Sequence, residues 1–140
     1  MEHDEHLILT DNYGDVCAIE VILNGIRTLI FAVYISPETT IKQKKYFMTR
    51  NVYSYARQNI SFLVSGDFNI DISKQENVEF VTFMEESMKL RLLSTSSQAT
   101  TLEGTCIDLV FGQNIDVESR RYVSHFSYHR PLLSMIKSSE

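Results

Sequence analysis

The stretch Leu63 to Ser73, LVSGDFNIDIS, climbs through apolar residues, breaks at Gly66 and then presents Asp67, Asn69 and Asp71 in close succession. Two further polar clusters follow, Thr105-Cys106-Ile107-Asp108 and Ser127-Tyr128-His129-Arg130-Pro131. Upstream, Tyr34 closes the apolar run of Val33-Tyr34-Ile35-Ser36-Pro37. Asp-x-Asn after a glycine is by itself an ordinary turn, because both side chains bond their own backbone. Asp108 demands more, since a carboxylate in an apolar run must be paired or hydrogen-bonded to offset its burial. His129 is the natural partner. As a set, these residues suit metal-assisted phosphodiester hydrolysis. Asp67 can orient or deprotonate a water, and Asn69 can hold the attacked phosphate or a metal-bound water. Asp108 can fix the tautomer of His129 and stabilise its charged form. His129 can donate to a phosphate oxygen as charge develops there, and Tyr34 adds a phosphate donor.

Such side chains need strand ends to hold them. Val16 to Leu23 reads as a strand, Asn24-Gly25 as a hairpin turn, and Thr28 to Ile35 as the returning strand. Ser36-Pro37-Glu38 reads as a helix start, with Ser36 as the cap. The helix is expected over about Thr39 to Arg57, with Ile41, Lys44, Phe47, Met48, Val52, Tyr55 and Ala56 on one face. Ile60 to Gly66 is a third strand. Asn77 can cap a second helix over Val78 to about Leu90, whose Phe80, Val81, Met84 and Met88 recur at helical spacing and read as core. Ser94 to Gly104 is a polar loop. Ile107 to Gly112, Tyr122 to Phe126 and Leu132 to Ile136 complete a β-β-α-β-α-β-β-β pattern with the acids at strand ends, where ligands of α/β sheets collect.

Gly66-Asp67-Phe68-Asn69, Thr105-Cys106-Ile107-Asp108 and His129-Arg130-Pro131, in that order, resemble the endonuclease/exonuclease/phosphatase superfamily. Within it the chain looks most like the endonuclease domains of non-LTR retrotransposons and of helicase-type transposons. The resemblance covers about Val16 to Ile136. It implies an α/β fold, part of a four-layer α/β/β/α sandwich, and Mg²⁺- or Mn²⁺-dependent cleavage of phosphodiesters, with DNA as the expected substrate class. Carried over position by position, Asp67, Asn69, Asp108 and His129 match the catalytic set. Asp67 and Asn69 would also be the metal ligands, and Tyr34 matches a phosphate-contacting tyrosine. Arg130, beside His129, is a further phosphate-binding candidate.

The chain departs from the family pattern at two points. Ser127-Tyr128-His129 stands where the family has Ser-Asp-His, and a tyrosine cannot supply the aspartate's charge. The family's first half, with an asparagine and the glutamate that is its main metal ligand, has no counterpart upstream of Val16. Residues 1–15 are therefore expected to be a polar, solvated tail, and 16–140 the C-terminal portion of such a domain, with weak metal binding. An open sheet face would invite self-association.

Length and composition agree with one domain: 140 residues, 44% hydrophobic and 22% charged, without repeats or linkers. No apolar run approaches the ~20 residues that span a bilayer. Cys17 and Cys106 are too few for a disulfide framework and are expected to be reduced and buried, in an intracellular setting, nuclear or cytoplasmic. A net charge of −5 argues against gripping nucleic acid by charge alone. The Lys42, Lys44, Lys45 and Arg57 cluster is expected to be a solvated helix face, with Arg120-Arg121 a candidate DNA contact. Two other function classes remain open: a non-catalytic remnant serving as an interaction module, and a phosphatase or RNA phosphodiesterase of the same superfamily.

Overall fold

Period-2 alternation in the first third of the chain and period-3.6 spacing in the middle build one mixed sheet with helices on one face. The computed structural model describes residues 2–23, 25–94, 108–115, 117–121 and 132–136. In chain order the elements are β1 (Glu2–Asp11), β2 (Gly14–Leu23), β3 (Ile26–Ile35), α1 (Ile41–Asn51), α2 (Tyr53–Ala56) and β4 (Ser61–Asp67). A short 3-10 turn (Gln75–Asn77) leads into α3 (Val78–Glu86), followed by β5 (Arg91–Leu92), β6 (Asp108–Gln113), β7 (Val117–Arg121) and β8 (Leu132–Ile136). Six strands form a sheet in the order β1-β2-β3-β4-β6-β5, and β7 pairs with β8.

The β2–β3 hairpin forms where Asn24-Gly25 predicts it, with Leu23 opposite Ile26 and Gly25 at a φ of 77°. β3 and β4 run parallel, so the chain between them must cross back over the sheet, and α1 and α2 make that crossover. The start of α1 differs from the sequence expectation. Ser36 does not cap it; Thr40 does, in a capping box with Gln43. The Gln43 N–H donates to Thr40 Oγ1 at 3.1 Å, and the Thr40 N–H donates to Gln43 Oε1 at 2.9 Å. Thr-x-x-Gln satisfies two orphan amides at once, which a lone Ser-Pro cannot. Pro37 instead belongs to a turn in which the Thr39 N–H reaches the Ser36 carbonyl. The helix also breaks at Val52 rather than running on to Arg57. At α3, Asn77 does not cap through its side chain; its amide donates to the Asp71 carbonyl at 2.9 Å.

The core lies between the sheet and the helices. Val16, Phe31, Val33, Ile35, Phe62, Val64, Leu109 and Phe111 come from the sheet and meet Phe47, Met48, Val52, Phe80, Met84 and Met88. Aromatic rings stack within it, Phe31 on Phe62 at 4.8 Å and Phe68 against Phe111 at 5.5 Å between centroids. The helix-face residues expected from spacing are thus the ones that pack.

Two expectations about the N-terminal region are corrected. Residues 2–11 are not a free tail: they form β1, paired antiparallel with β2 from Glu2–Ile22 to Asp11–Gly14, with an irregularity between His3 and His6. Unpaired backbone on the outer edge of β2 offered hydrogen bonds that the preceding residues take up, despite their charge. Asp11 itself is built into the turn, accepting from the Tyr13 N–H at 2.7 Å and from Asn51 Nδ2 at 3.0 Å. Cys17 is reduced but exposed, because strand alternation puts Val16 and Ala18 on the helix side and Cys17 on the other. Cys106, the Ser94 to Gly104 loop beyond Ser94 and the strand expected over Tyr122 to Phe126 lie outside the described residues. No helix among the described residues is long and apolar enough to cross a membrane.

One glycine fixes how closely β3 and β4 approach at their ends. A Cβ on Gly66 would stand 1.8 Å from the Val33 carbonyl oxygen, and its φ is 155°. Gly66→Ala is expected to cost at least ~3 kcal/mol in urea unfolding, or to prevent folding. The turn residue Gly25 also has positive φ but nothing within 4 Å of its would-be Cβ, so Gly25→Ala is expected to cost only ~1 kcal/mol in the same measurement.

Candidate active site

β3, β4 and β6 are adjacent in the sheet, and their register sets three polar residues abreast. Tyr34 pairs with Asp67 across the parallel β3–β4 ladder, and Asp67 pairs with Asp108 across the antiparallel β4–β6 ladder. With neighbouring strands about 4.8 Å apart, the row is about 10 Å long. Alternation fixes its face. Val33 and Ile35, Val64, and Leu109 and Phe111 all enter the helix-side core, so Tyr34, Asp67 and Asp108 leave from the opposite face. Tyr34 is 46% exposed, and both aspartates are half-buried. Residues far apart in the chain are thereby gathered at one end of the sheet.

The segment after Gly66 is held by each of its residues in a different way. Asp67 Oδ1 accepts the Asn69 N–H at 2.9 Å, a tight local turn. Phe68, fully buried, drives into the helix-side core against Phe80 and Phe111. Asn69 takes a left-handed φ of 48°, which asparagine tolerates better than most residues, and its Nδ2 donates to the Ile35 carbonyl at 2.6 Å. That bond ties the segment to the last residue of β3. Asp71 does not join the row; its carboxylate accepts from the Ser73 N–H and hydroxyl, closing a separate turn. His129 and Arg130 lie outside the described residues.

The sequence reading sets Lys44 both on the apolar face of α1 and in a solvated cluster, and the structure supports the first. Lys44 is not part of a solvated face: it is 2% exposed, on the same side of α1 as Phe47 and Met48. Its ammonium donates to Thr39 Oγ1 at 2.5 Å and reaches the Ser36 carbonyl at 3.5 Å. Burial lowers its pKa from 10.5 to about 8, and the nearby Asp67 charge works in the opposite direction. A lysine at the spacing of Ile41, Phe47 and Met48 was the available signal, because a charge on an apolar stripe is kept only where it has partners. Lys45, by contrast, is on the surface and pairs with Glu79 of α3.

Among the described residues no three His, Cys, Asp or Glu side chains group as a metal site. Asp67 and Asn69 offer only hard oxygen donors, which is the chemistry Mg²⁺ or Mn²⁺ requires, but two such residues fall short of the six ligands of Mg²⁺. A cation held by these two residues alone would have to keep most of its waters.

Neither family models nor curated proteins match the sequence. Solved structures do match its fold. The endonuclease domain of TRAS1, a telomere-specific non-LTR retrotransposon, superposes with a TM-score of 0.71 at 14% identity, over 97% of this chain and 69% of that one. The human Nocturnin catalytic domain, solved with a bound sulfate, gives 0.66 at 16% identity, over 99% and 60%. An endonuclease/exonuclease/phosphatase family protein from Bacteroides thetaiotaomicron gives 0.54 at 16% identity, over 85% and 54%. The chain therefore has the endonuclease/exonuclease/phosphatase fold and spans between 54% and 69% of the length of these three proteins.

The charge coupling between α1 and β4 is directly measurable. In the parent, the Lys44 ammonium is expected to titrate near pH 8 when followed by NMR. Asp67→Asn removes the negative charge that favours the protonated amine, so the midpoint is expected to move lower still. A midpoint that rises or stays fixed would show that the two groups do not sense each other.

Proposed function

We propose that the chain is a hydrolase domain that cleaves phosphodiester bonds in DNA, with an ancestry shared with mobile-element endonucleases. The observation that carries this reading is the row Tyr34–Asp67–Asp108 at the ends of three adjacent strands, in a chain of the endonuclease/exonuclease/phosphatase fold. In the proposed mechanism Asp67 orients and deprotonates the attacking water. Asn69, pinned to β3, presents its Oδ1 and remaining N–H toward the phosphate. Tyr34, exposed at the end of the row, donates to a phosphate oxygen. Asp108 orients His129, which donates to another phosphate oxygen as negative charge builds there. Arg130 adds charge beside it. A divalent ion, Mg²⁺ or Mn²⁺, held at Asp67 and Asn69 would supply charge neutralisation on the phosphate.

A second reading has one observation of its own. The buried Lys44 already places a positive charge near Asp67 at neutral pH, where a cation would otherwise be needed. Together with Tyr128 in place of an aspartate, this favours a degenerate domain that binds without cutting. A phosphatase or RNA phosphodiesterase would use the same row, with specificity set elsewhere.

Supercoiled plasmid with Mg²⁺ or Mn²⁺ separates these readings. Under the hydrolase reading the parent nicks the plasmid, and Asp67→Asn and His129→Ala each lower the rate at least about 100-fold, the scale of losing a general base or an electrostatic donor. Equal nicking by all three proteins would exclude the mechanism. No nicking by the parent would leave the binding reading, and turnover of RNA or a small phosphoester instead would leave the third.

A further inference from the structure

At the same end of the sheet as the row, but on the helix side, lies an open pocket of about 750 Å³ between the β1–β2 turn and α1, lined by Asp11, Tyr13, Lys42, Gln43, Tyr46 and Arg50 among others. Its volume is that of a ligand site rather than a surface dimple. None of the described residues assigned to hydrolysis lines it, and the strand and helix that wall it are tied to the same end of the sheet as the row. Gly14 pairs with Ile35, Asp15 pairs with Tyr34, and the Ser36 N–H donates to the Tyr13 carbonyl at 2.8 Å. The β1–β2 turn therefore sits one strand away from Tyr34.

The chemistry of the walls is specific. Lys42, Tyr46 and Arg50 recur every four residues, so they form one stripe along α1, and all three are exposed. At 1.5 Å per residue, the two cations are about 12 Å apart with the aromatic ring between them. Tyr46 is 53% exposed and meets Tyr13 edge to face, at 6.1 Å and 86°. An edge-to-face pair covers one face of one ring and leaves ring surface for a third π-system. The single acid, Asp11, has both oxygens engaged by the Tyr13 N–H and by Asn51, so it braces the turn. The pocket is net positive in a chain whose net charge is −5. Cations flanking an exposed aromatic platform are what single-stranded nucleic acid selects: phosphates on the cations and a base on the ring.

We propose that this pocket is a nucleotide subsite for single-stranded DNA, taking one base against Tyr46 and Tyr13 with the flanking phosphates at Lys42 and Arg50. The proposal rests on the DNA-hydrolase reading and adds a second contact for the strand, on the helix side of the same end of the sheet.

The test is fluorescence-anisotropy binding of a labelled oligothymidylate, and of an abasic strand of the same length, in EDTA so that no cutting occurs. Tyr46→Ala is expected to weaken binding of the oligothymidylate about tenfold and of the abasic strand much less. Lys42→Ala combined with Arg50→Ala is expected to flatten the salt dependence by about 1.4, the slope for two phosphates on a single strand. All three positions are on the surface, and matching urea midpoints would verify that the variants remain folded. The subsite is overturned if the variants bind like the parent, or if Tyr46→Ala weakens intact and abasic strands equally. The two proposals fail separately. Nicking that stops with Asp67→Asn while the pocket variants bind as the parent does would remove the subsite alone. Weakened binding by the pocket variants in a protein that never nicks would remove hydrolysis and keep the subsite.

Discussion

The contact between the backbones of Gly66 and Val33 is the constraint on which the candidate site depends. β3 and β4 can run side by side to their last residues only because position 66 has no Cβ to meet the Val33 carbonyl. That approach sets Tyr34 against Asp67, and the next ladder sets Asp67 against Asp108. Directly after the glycine, Phe68 plunges into the core and Asn69 bonds back to Ile35. The Gly-Asp-Phe-Asn sequence is thus a joint as much as a source of candidate catalytic groups. Each residue contributes one of close approach, carboxylate, anchor and tether.

Two carboxylates side by side on adjacent strands repel each other, and like charges directly opposite destabilise a sheet. The helix side contributes an opposing charge. Lys44 is carried on the apolar stripe of α1, and its ammonium is held by Thr39 and the Ser36 carbonyl within the electrostatic reach of Asp67. A lysine whose pKa is lowered by burial is a cost to the fold at neutral pH, which its bonds to Thr39 and Ser36 and the Asp67 charge work against. The loop from Ser36 to Thr40 therefore has two tasks. It starts the crossover helix, and it supplies the oxygens that keep a charge beside the end of β4.

The end of β3 also joins the row to the pocket on α1. One side of that strand end carries Tyr34, and the β1–β2 turn beside it carries Tyr13. An N-terminal segment that looks like a polar tail becomes an edge strand, and its turn becomes a wall with an aromatic ring. Asp11 at the end of that segment braces the turn, and Lys42 and Arg50 of α1 bring positive charge to the pocket.

Much of this could be read from the residues in order. Asn-Gly between two β-branched runs specified the hairpin because few residues accept its backbone angles. The spacing of Phe47, Met48, Val52, Phe80, Met84 and Met88 specified two helices with one buried face each. Asp67 and Asp108 stood out in the sequence because acids at the ends of apolar strands are costly without partners. The rest needed the third dimension. Pairing of β1 depends on which edge β2 leaves open, and no local pattern in an acidic segment encodes that. The burial of Lys44 and its nearness to Asp67 depend on how α1 lies across the sheet. The pocket joins a turn to a helix some thirty residues later in the chain. Local sequence determined the elements and the kinds of chemistry they carry, because propensity and periodicity act over a few residues. Tertiary structure alone decided which side chains meet, because sheet register and helix docking bring together residues that share no local signal.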